Sequence, residues 1–274
     1  MSGATETLKL LENWPAILIE KPKPAIIISD IHFGFEAELG DKGIRIPSQT
    51  WKITEMLIKL IEEQNPREII ILGDLKHKIP LSSSIEWEEM PRAIQKIREI
   101  GVDVTLVPGN HDGGIKKILG NAVKYAPSSG FLIEGERRFF MYHGHRWPNV
   151  DIVKSDLVFM GHLHPMVNLK TDVGSIVKKP VWMLIEGDKK NLIKTFKERY
   201  SVRLKGHGRI NLIILPAFNP MLTGISINSM KPEDRLWPLI RTNSFSITQA
   251  EIILLSGQNL GRLREIEKIT EDTL

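Results

Sequence analysis

Five short runs in this chain carry residue types that bind metals: Asp30-Ile31-His32, Gly73-Asp74-Leu75-Lys76-His77, Gly109-Asn110-His111-Asp112, His143-Gly144-His145 and Gly161-His162-Leu163-His164. Carboxylates, an amide and imidazoles gathered in one place form a mixed oxygen and nitrogen cage, which suits divalent transition metals. Cysteine is absent. Disulfides and thiolate ligands are therefore excluded, and His, Asp and Asn are left to hold any metal. A single Asp-x-His or Gly-His-x-His is common and says little; the information lies in five runs occurring together and in order.

Each run follows an aliphatic stretch that reads as a strand. Ala25 to Ser29 ends on Asp30, Glu68 to Leu72 ends on Gly73-Asp74, Val102 to Val107 delivers Gly109-Asn110-His111-Asp112, Arg138 to Tyr142 ends on His143, and Leu157 to Met160 leads into Gly161-His162. Ligands at strand ends would lie along one edge of one sheet. Ala16 to Ile19 pairs with Ala25 to Ser29 through a turn at Lys21-Pro22-Lys23-Pro24. Trp51, Ile53, Leu57, Ile58 and Ile61 repeat at helical spacing within Ser48 to Glu63, and a second helix is predicted from about Ser84 to Ile100. The order βαβαβ argues for helices over a largely parallel sheet. After residue 120 shorter β pieces follow, at Ala122 to Tyr125, Phe131 to Glu134, Arg138 to Tyr142, Leu157 to Met160, Ile176 to Ile185 and Ile210 to Leu215, and they are predicted to form a second sheet facing the first. Ser246 to Leu255 reads as a closing strand and Leu260 to Ile269 as a helix.

With 274 residues, 42% apolar and 26% charged, the chain has ordinary globular composition and is expected to form one domain over 1–274. No apolar run approaches a membrane span, and Met1 to Glu12 lacks the segments of a signal peptide, so a cytoplasmic protein without membrane contact is expected. The net charge is +4, which permits an anionic substrate without requiring one. Lys178 to Arg209 carries ten basic residues against Glu186, Asp188 and Glu198, a local +7 that leaves about −3 for the rest. The core of this stretch, at about 186–209, is read as a basic flap or hairpin excursion. Lys189, Lys190, Lys194, Lys197, Arg199, Arg203 and Lys205 are its candidate contacts to nucleic-acid phosphates, with a solvated surface excursion as the alternative. Phe196 and Tyr200 could stack on bases or anchor the excursion. His207 is expected to be exposed.

The series of runs resembles the calcineurin-like metallophosphoesterase superfamily, whose motifs are DxH, GDxx(D/H), GNH(D/E), H and GHxH. With Asp30-Ile31-His32-Phe33-Gly34-Phe35-Glu36, Gly43-Ile44-Arg45-Ile46-Pro47 and Leu215-Pro216-Ala217-Phe218-Asn219-Pro220, it is similar to an archaeal and bacterial ICC-like subgroup of phosphoesterases related to DNA-repair nucleases. The resemblance implies an α/β fold, a four-layer αββα sandwich with its metals at strand ends. It also implies two divalent ions, Mn²⁺ first and Fe, Ni or Zn as alternatives. Asp74 would bridge them, Asp30, His32 and His164 would complete one ion, and Asn110, His143 and His162 the other. Two metals about 3.5 to 4 Å apart can hold the oxygens of an in-line phosphoryl displacement and lower the pKa of a bridging water. His111 matches the family histidine that lies beside the metals, where it could steady charge or protonate the leaving oxygen, and Asp112 would hold its other nitrogen. His145 is assigned to the lining of the pocket, and His77 to a hydrogen-bonding neighbour in preference to a ligand.

The function so implied is hydrolysis of phosphodiesters by a metal-bridging hydroxide, with nucleic acid as substrate and a DNA-repair role by association. A homodimer or a repair partner is compatible with it. The alternatives are a phosphomonoesterase, a small-nucleotide phosphodiesterase, or a nucleic-acid-binding subunit whose metals are structural.

Overall fold

The structure, a computed structural model, describes residues 8–20, 23–171, 173–231, 234 and 237–271. Its first sheet is built from the aliphatic runs that precede the metal-binding residues. β1 (Leu8–Leu10), β2 (Ile17–Ile19) and β3 (Ala25–Ile28) pair antiparallel; β3, β4 (Glu68–Ile71), β5 (Asp103–Leu106) and β6 (Lys124–Tyr125) then pair parallel, in the order β1-β2-β3-β4-β5-β6. Covered on both faces, β3 and β4 are buried throughout except at Glu68, as strands of a parallel sheet should be. Alternation divides their side chains. Ile26, Ile28, Ile69, Ile71, Val104 and Leu106 face a helical layer, while Ala25, Ile27, Ile70, Leu72 and Val107 face the second sheet.

The helical layer consists of α1 (Phe35–Asp41), α2 (Thr50–Gln64), α3 (Ser84–Glu99) and α4 (Ile115–Leu119). Helix α2 buries Ile53, Leu57, Leu60 and Ile61, one stripe at helical period, and stops at Asn65 in the left-handed conformation with Pro66 behind it. A capping box starts α3: Ser83 Oγ accepts from Glu86 N at 3.3 Å and Glu86 Oε2 accepts from Ser83 N at 2.6 Å.

The second sheet comprises β7 (Phe131–Ile133), β8 (Phe139–Tyr142), β9 (Leu157–Met160), β10 (Pro165–Lys170), β11 (Ile176–Asp188), β12 (Arg209–Ile214) and β13 (Ile225–Ser226), ordered β13-β10-β11-β12-β9-β8-β7. β14 (Glu251–Leu254) adds to β11, and β15 (Asn259–Arg262) to β14. Phe139, Met141, Leu157, Phe159, Trp182 and Ile213 meet the first sheet; Phe140, Tyr142, Val158, Met160, Leu212 and Ile214 point outward. Over that outer face lie α5 (Lys189–Tyr200) and α6 (Leu263–Glu271). Three apolar cores thus separate four layers, the αββα sandwich expected. Among the described residues no helix is long and apolar enough to cross a membrane.

Several expectations need correction. The expected basic flap is α5, an integral part of the outer layer: Leu192, Ile193 and Phe196 are buried against the second sheet at helical spacing, and this apolar stripe outweighs the charge of the exposed face. Ala122 to Tyr125 contributes β6 to the first sheet, parallel to β5, and not to the second. The closing strand is shorter than read, since Ile247–Gln249 forms a 3₁₀ turn before β14. β2 and β3 pair as the expected hairpin, although Lys21 and Pro22 of its turn lie outside the described residues.

Because α5 is packed, Phe196→Ala should lower the unfolding free energy by about 3–5 kcal/mol. Lys194→Ala, on the exposed face of the same helix, should change it by no more than about 0.5 kcal/mol. Chemical denaturation of the two variants separates a packed helix from a loose flap.

Candidate metal centre

Backbone conformation marks the site. Nine described non-glycine residues have positive φ, and five of them are candidate ligands: Asp30 (56°), His32 (47°), Asp74 (51°), His162 (72°) and His164 (42°). Each costs on the order of 1–3 kcal/mol and persists only where the surroundings impose it. Close approach adds a second constraint. A Cβ at Gly73, itself at φ 83°, would fall 2.2 Å from His143 Nδ1, and one at Gly109 would fall 2.1 Å from Asp74 Oδ1. Only glycine lets these chain segments come together.

The strand ends of both sheets supply the cluster, not one edge of one sheet. Asp30, Asp74 and Asn110 follow β3, β4 and β5, while His143, His162 and His164 follow β8 and β9. Among the described residues three triplets have potential ligand atoms within 4.8 Å of one another: Asp30 with His32 and His164, Asp74 with His143 and His162, and His32 with His77 and His111. Asp74 Oδ2 joins the first two, at 3.6 Å from His32 Nε2 and 3.3 Å from His143 Nε2. The other oxygen of Asp74 accepts from the backbone N–H of His111 at 2.8 Å, which fixes the carboxylate. Asn110 Oδ1 lies 3.2 Å from His143 Nε2, and His143 Nδ1 donates to the Leu72 carbonyl at 2.6 Å, turning Nε2 toward Asp74. His162 N donates to Asp30 Oδ2 at 2.9 Å. The residues expected as ligands are therefore brought together.

Their chemistry fits a pair of cations. Asp30 Oδ1, His32 Nε2 and His164 Nε2 are buried without a hydrogen-bond partner; His164 Nε2 and Asp30 Oδ1 stand 3.1 Å apart without hydrogen-bond alignment. Buried polar atoms rarely lack partners unless another group completes them. The charges point the same way. Burial would raise the carboxyls of Asp30 and Asp74, yet His164 and His143 beside Asp30, and His143 beside Asp74, hold both below the ordinary carboxylate range. Burial likewise opposes charge on His143, but Asp74 and Asp30 push it up to about 9. Burial takes His32 down to about 3 and His162 to about 4. Two buried anions thus demand positive charge, and imidazoles that stay neutral stand ready as ligands.

Around this cluster the structure places the remaining candidates differently. His77 Nδ1 lies 3.0 Å from His32 Nδ1, and its Nε2 lies 2.6 Å from Glu38 Oε2, so protein groups engage both nitrogens. The ring of His145 lies 5.2 Å from that of His143 and 6.2 Å from that of His162, lining the cluster. Asp112 does not hold His111. His111 Nδ1 meets the carbonyl of His77, while Asp112 accepts backbone N–H groups from Leu75 (2.9 Å), Lys76 (3.2 Å) and Gly109 (2.8 Å). It is buried, and burial pushes its carboxyl up to about 6. Its role is to staple the loop after β5 to the loop after β4, a demand of backbone donors that neighbours in sequence do not reveal. Lys189 is buried, 3.8 Å from Asp156 Oδ1, and so is withdrawn as a phosphate contact. Lys190, Lys194, Lys197, Arg203 and Lys205 are exposed; Arg199 lies over the ring of Trp147 at 4.4 Å. His207 is exposed.

Three residues were not foreseen. Glu38 holds His77. Glu86 Oε1 accepts from the backbone of His77 and Lys78 at 2.8 and 2.6 Å, and its capping-box spacing from Ser83 was the available signal. Asn219 Nδ2 donates to the Ile31 carbonyl at 2.9 Å, so the Pro-Ala-Phe-Asn-Pro segment braces the Asp30 turn.

The model of the family described as calcineurin-like phosphoesterase matches residues 23–166, which hold all five metal-binding runs. The chain belongs to that family. Phosphodiesterase YfcE of Escherichia coli (strain K12) is 25% identical over 114 residues, which are 40% of this chain; the match spans 61% of that protein's length. The crystal structure of Pseudomonas putida nuclease MPE superposes with a TM-score of 0.52 at 16% identity, covering 94% of this chain and 96% of that one. That likeness is one of fold.

If the cluster holds metal, adding Mn²⁺ in excess to chelator-treated protein should raise the melting temperature by roughly 5–10 °C, the rise expected for a ligand near 100 times its Kd. Asp74→Asn and His162→Ala should lose most of that rise in calorimetry, without any assay of turnover. Asp112→Asn puts an amide N–H against a backbone N–H. It should lower stability in denaturant titration by about 1–3 kcal/mol.

Proposed function

We propose that the chain is a two-metal phosphodiesterase that acts on nucleic acid. The observation that carries this reading is Asp74 Oδ2, placed between His32 and His143 and so between two ligand sets. Cations held there would polarise the phosphoryl oxygens and bring a water toward its hydroxide at neutral pH. Asp30, His32 and His164 would hold one of them, and Asn110, His143 and His162 the other, with Asp74 available to both. Mn²⁺ is the metal we expect for this oxygen and imidazole set.

The remaining residues position and transfer protons. His111 stands with its ring 4.7 Å from that of His32. With Nδ1 donating to the His77 carbonyl, Nε2 is the nitrogen left to serve the leaving oxygen. Glu38 and His77 orient His32 from behind, which keeps His32 Nε2 toward Asp74.

The choice of nucleic acid rests on charge. Lys190, Lys194, Lys197, Arg203 and Lys205 form an exposed basic face on α5 and the segment after it. Arg199, stacked on Trp147, ties the end of that helix to the loop carrying His145. A strand of phosphates bound at the metals would meet this face as it leaves. We place the protein in the cytoplasm, consistent with a nucleic-acid substrate.

Purified protein with Mn²⁺ should cleave bis-p-nitrophenyl phosphate faster than p-nitrophenyl phosphate. Asp74→Asn or His162→Ala should cut that rate by at least about a hundredfold while circular dichroism shows the fold intact. Retained activity in those variants would refute the metal assignment, and faster monoester turnover would make the enzyme a phosphomonoesterase. Neutralising Lys190, Lys194, Lys197, Arg203 and Lys205 together should flatten the salt dependence of single-stranded DNA binding, each lost phosphate contact reducing the slope by about 0.7. An unchanged slope would leave a phosphodiesterase without this nucleic-acid face.

A further inference from the structure

An apolar cavity of about 270 Å³ opens beside the cluster, with His164 in its lining. Its walls are Trp14, Met56, Met166, Pro180, Phe218 and Leu222. The segments that build it also hold the ligands. Met166 follows His164 on β10 and lies opposite Pro180 of β11; Ile225 N donates to the His164 carbonyl at 3.1 Å; Asn219, next to Phe218, holds the turn after Asp30. The cavity is thus fixed to the Asp30, His32 and His164 side of the cluster and has no lining residue from the His143 and His162 side.

Its contents can be argued from size and shape. Whole small-molecule sites run from about 300 to 1,000 Å³, so this cavity takes one ring system and not an entire ligand. One wall is flat and held in place. The ring of Trp14 is stacked within 6° of parallel on that of Phe218, with centroids 6.5 Å apart; Phe218 is buried in the core behind it, and the indole N–H of Trp14 is pinned to Glu63 Oε2 at 2.8 Å. A rigid aromatic wall favours a planar partner over a branched or saturated one.

On the reading that a phosphodiester binds at the metals, we infer that this cavity is a subsite for a planar aromatic ring on one arm of the ester, the nucleobase class. The phosphate lies at the cluster, and the arm on the His164 side turns into the cavity and packs its ring against Trp14. Recognition is by shape and stacking, so discrimination among bases is weak.

The test uses p-nitrophenyl diesters with one leaving group and three second arms: methyl, cyclohexyl and phenyl. After correction for uncatalysed reactivity, kcat/KM for phenyl should exceed that for methyl by roughly tenfold or more, with cyclohexyl between them. Leu222→Trp, which fills the cavity, and Trp14→Ala should collapse the phenyl-to-methyl ratio, whereas Trp14→Phe should keep it. Trp87→Ala, an exposed tryptophan elsewhere on the chain, is the control and should leave the ratio unchanged. Saturation-transfer NMR with thymidine and phenol on chelator-treated protein supplies a readout independent of turnover: ring signals should respond in the native chain and vanish in Leu222→Trp. A phenyl preference that survives Leu222→Trp, or ring probes that bind both proteins alike, would overturn the subsite. Absence of diester cleavage together with ring binding lost in Leu222→Trp would refute the phosphodiesterase reading and leave the ring site standing.

Discussion

Two carboxylates buried side by side in the seam between two sheets set the terms for everything around them. Asp30 and Asp74 repel one another, and burial removes the water that would screen them. A single buried carboxylate can be met by backbone donors, as Asp112 is. Two together, with Asp30 Oδ1 still open after the N–H groups of His162 and His111 are counted, need positive charge. The imidazoles packed against them can supply it, and their opposed shifts, His143 up and His32 down, express one demand distributed over unequal positions.

This demand explains the backbone. Ligand atoms must converge from β3, β4, β5, β8 and β9, and strands spaced by their own hydrogen bonds cannot bend toward a point. Convergence is left to the residues just past each strand, so those after β3, β4 and β9 take up left-handed conformations and glycines at the close approaches let chains touch. The apolar layers supply the stiffness. Ile27, Ile70 and Phe159 lock the sheets together, and local strain at five positions is held by a core much larger than the site.

Much of this was legible in the sequence because metal ligands and buried strands both obey short rules. An aliphatic run followed by a ligand needs only local reading, and the sandwich follows from the order of such runs. What escaped depends on contacts between distant residues. Glu38 and Asn219 reach the cluster from a helix and a late loop; Glu38 sits in no pattern of its own, and the run that holds Asn219 marked a resemblance without showing what its amide would touch. Asp112 misled because adjacency to His111 suggests a side-chain bond, while three backbone N–H groups held the stronger claim. Helix α5 misled for a different reason: Leu192, Ile193 and Phe196 carried its period, but the density of basic residues drew attention to the face that does not decide folding.

The same distinction between what a helix buries and what it shows bears on how the cluster would choose a substrate. Metals held there, with the imidazoles, would recognise a phosphoryl group and nothing beyond it, so selectivity would have to come from surfaces at the rim. The rim is unequal. On the His143 side the loop carrying His145 is braced by Tyr142, whose hydroxyl meets the carbonyls of Gly144 and Arg146, and by Trp147 packed against Phe196 and Arg199. On the His164 side the rim is apolar and aromatic. If a diester binds as proposed, the apolar flank would favour its uncharged arm, because an anion placed there would lie against hydrocarbon. An orientation so fixed would align one leaving oxygen with His111, which the proposed metal pair would not do alone.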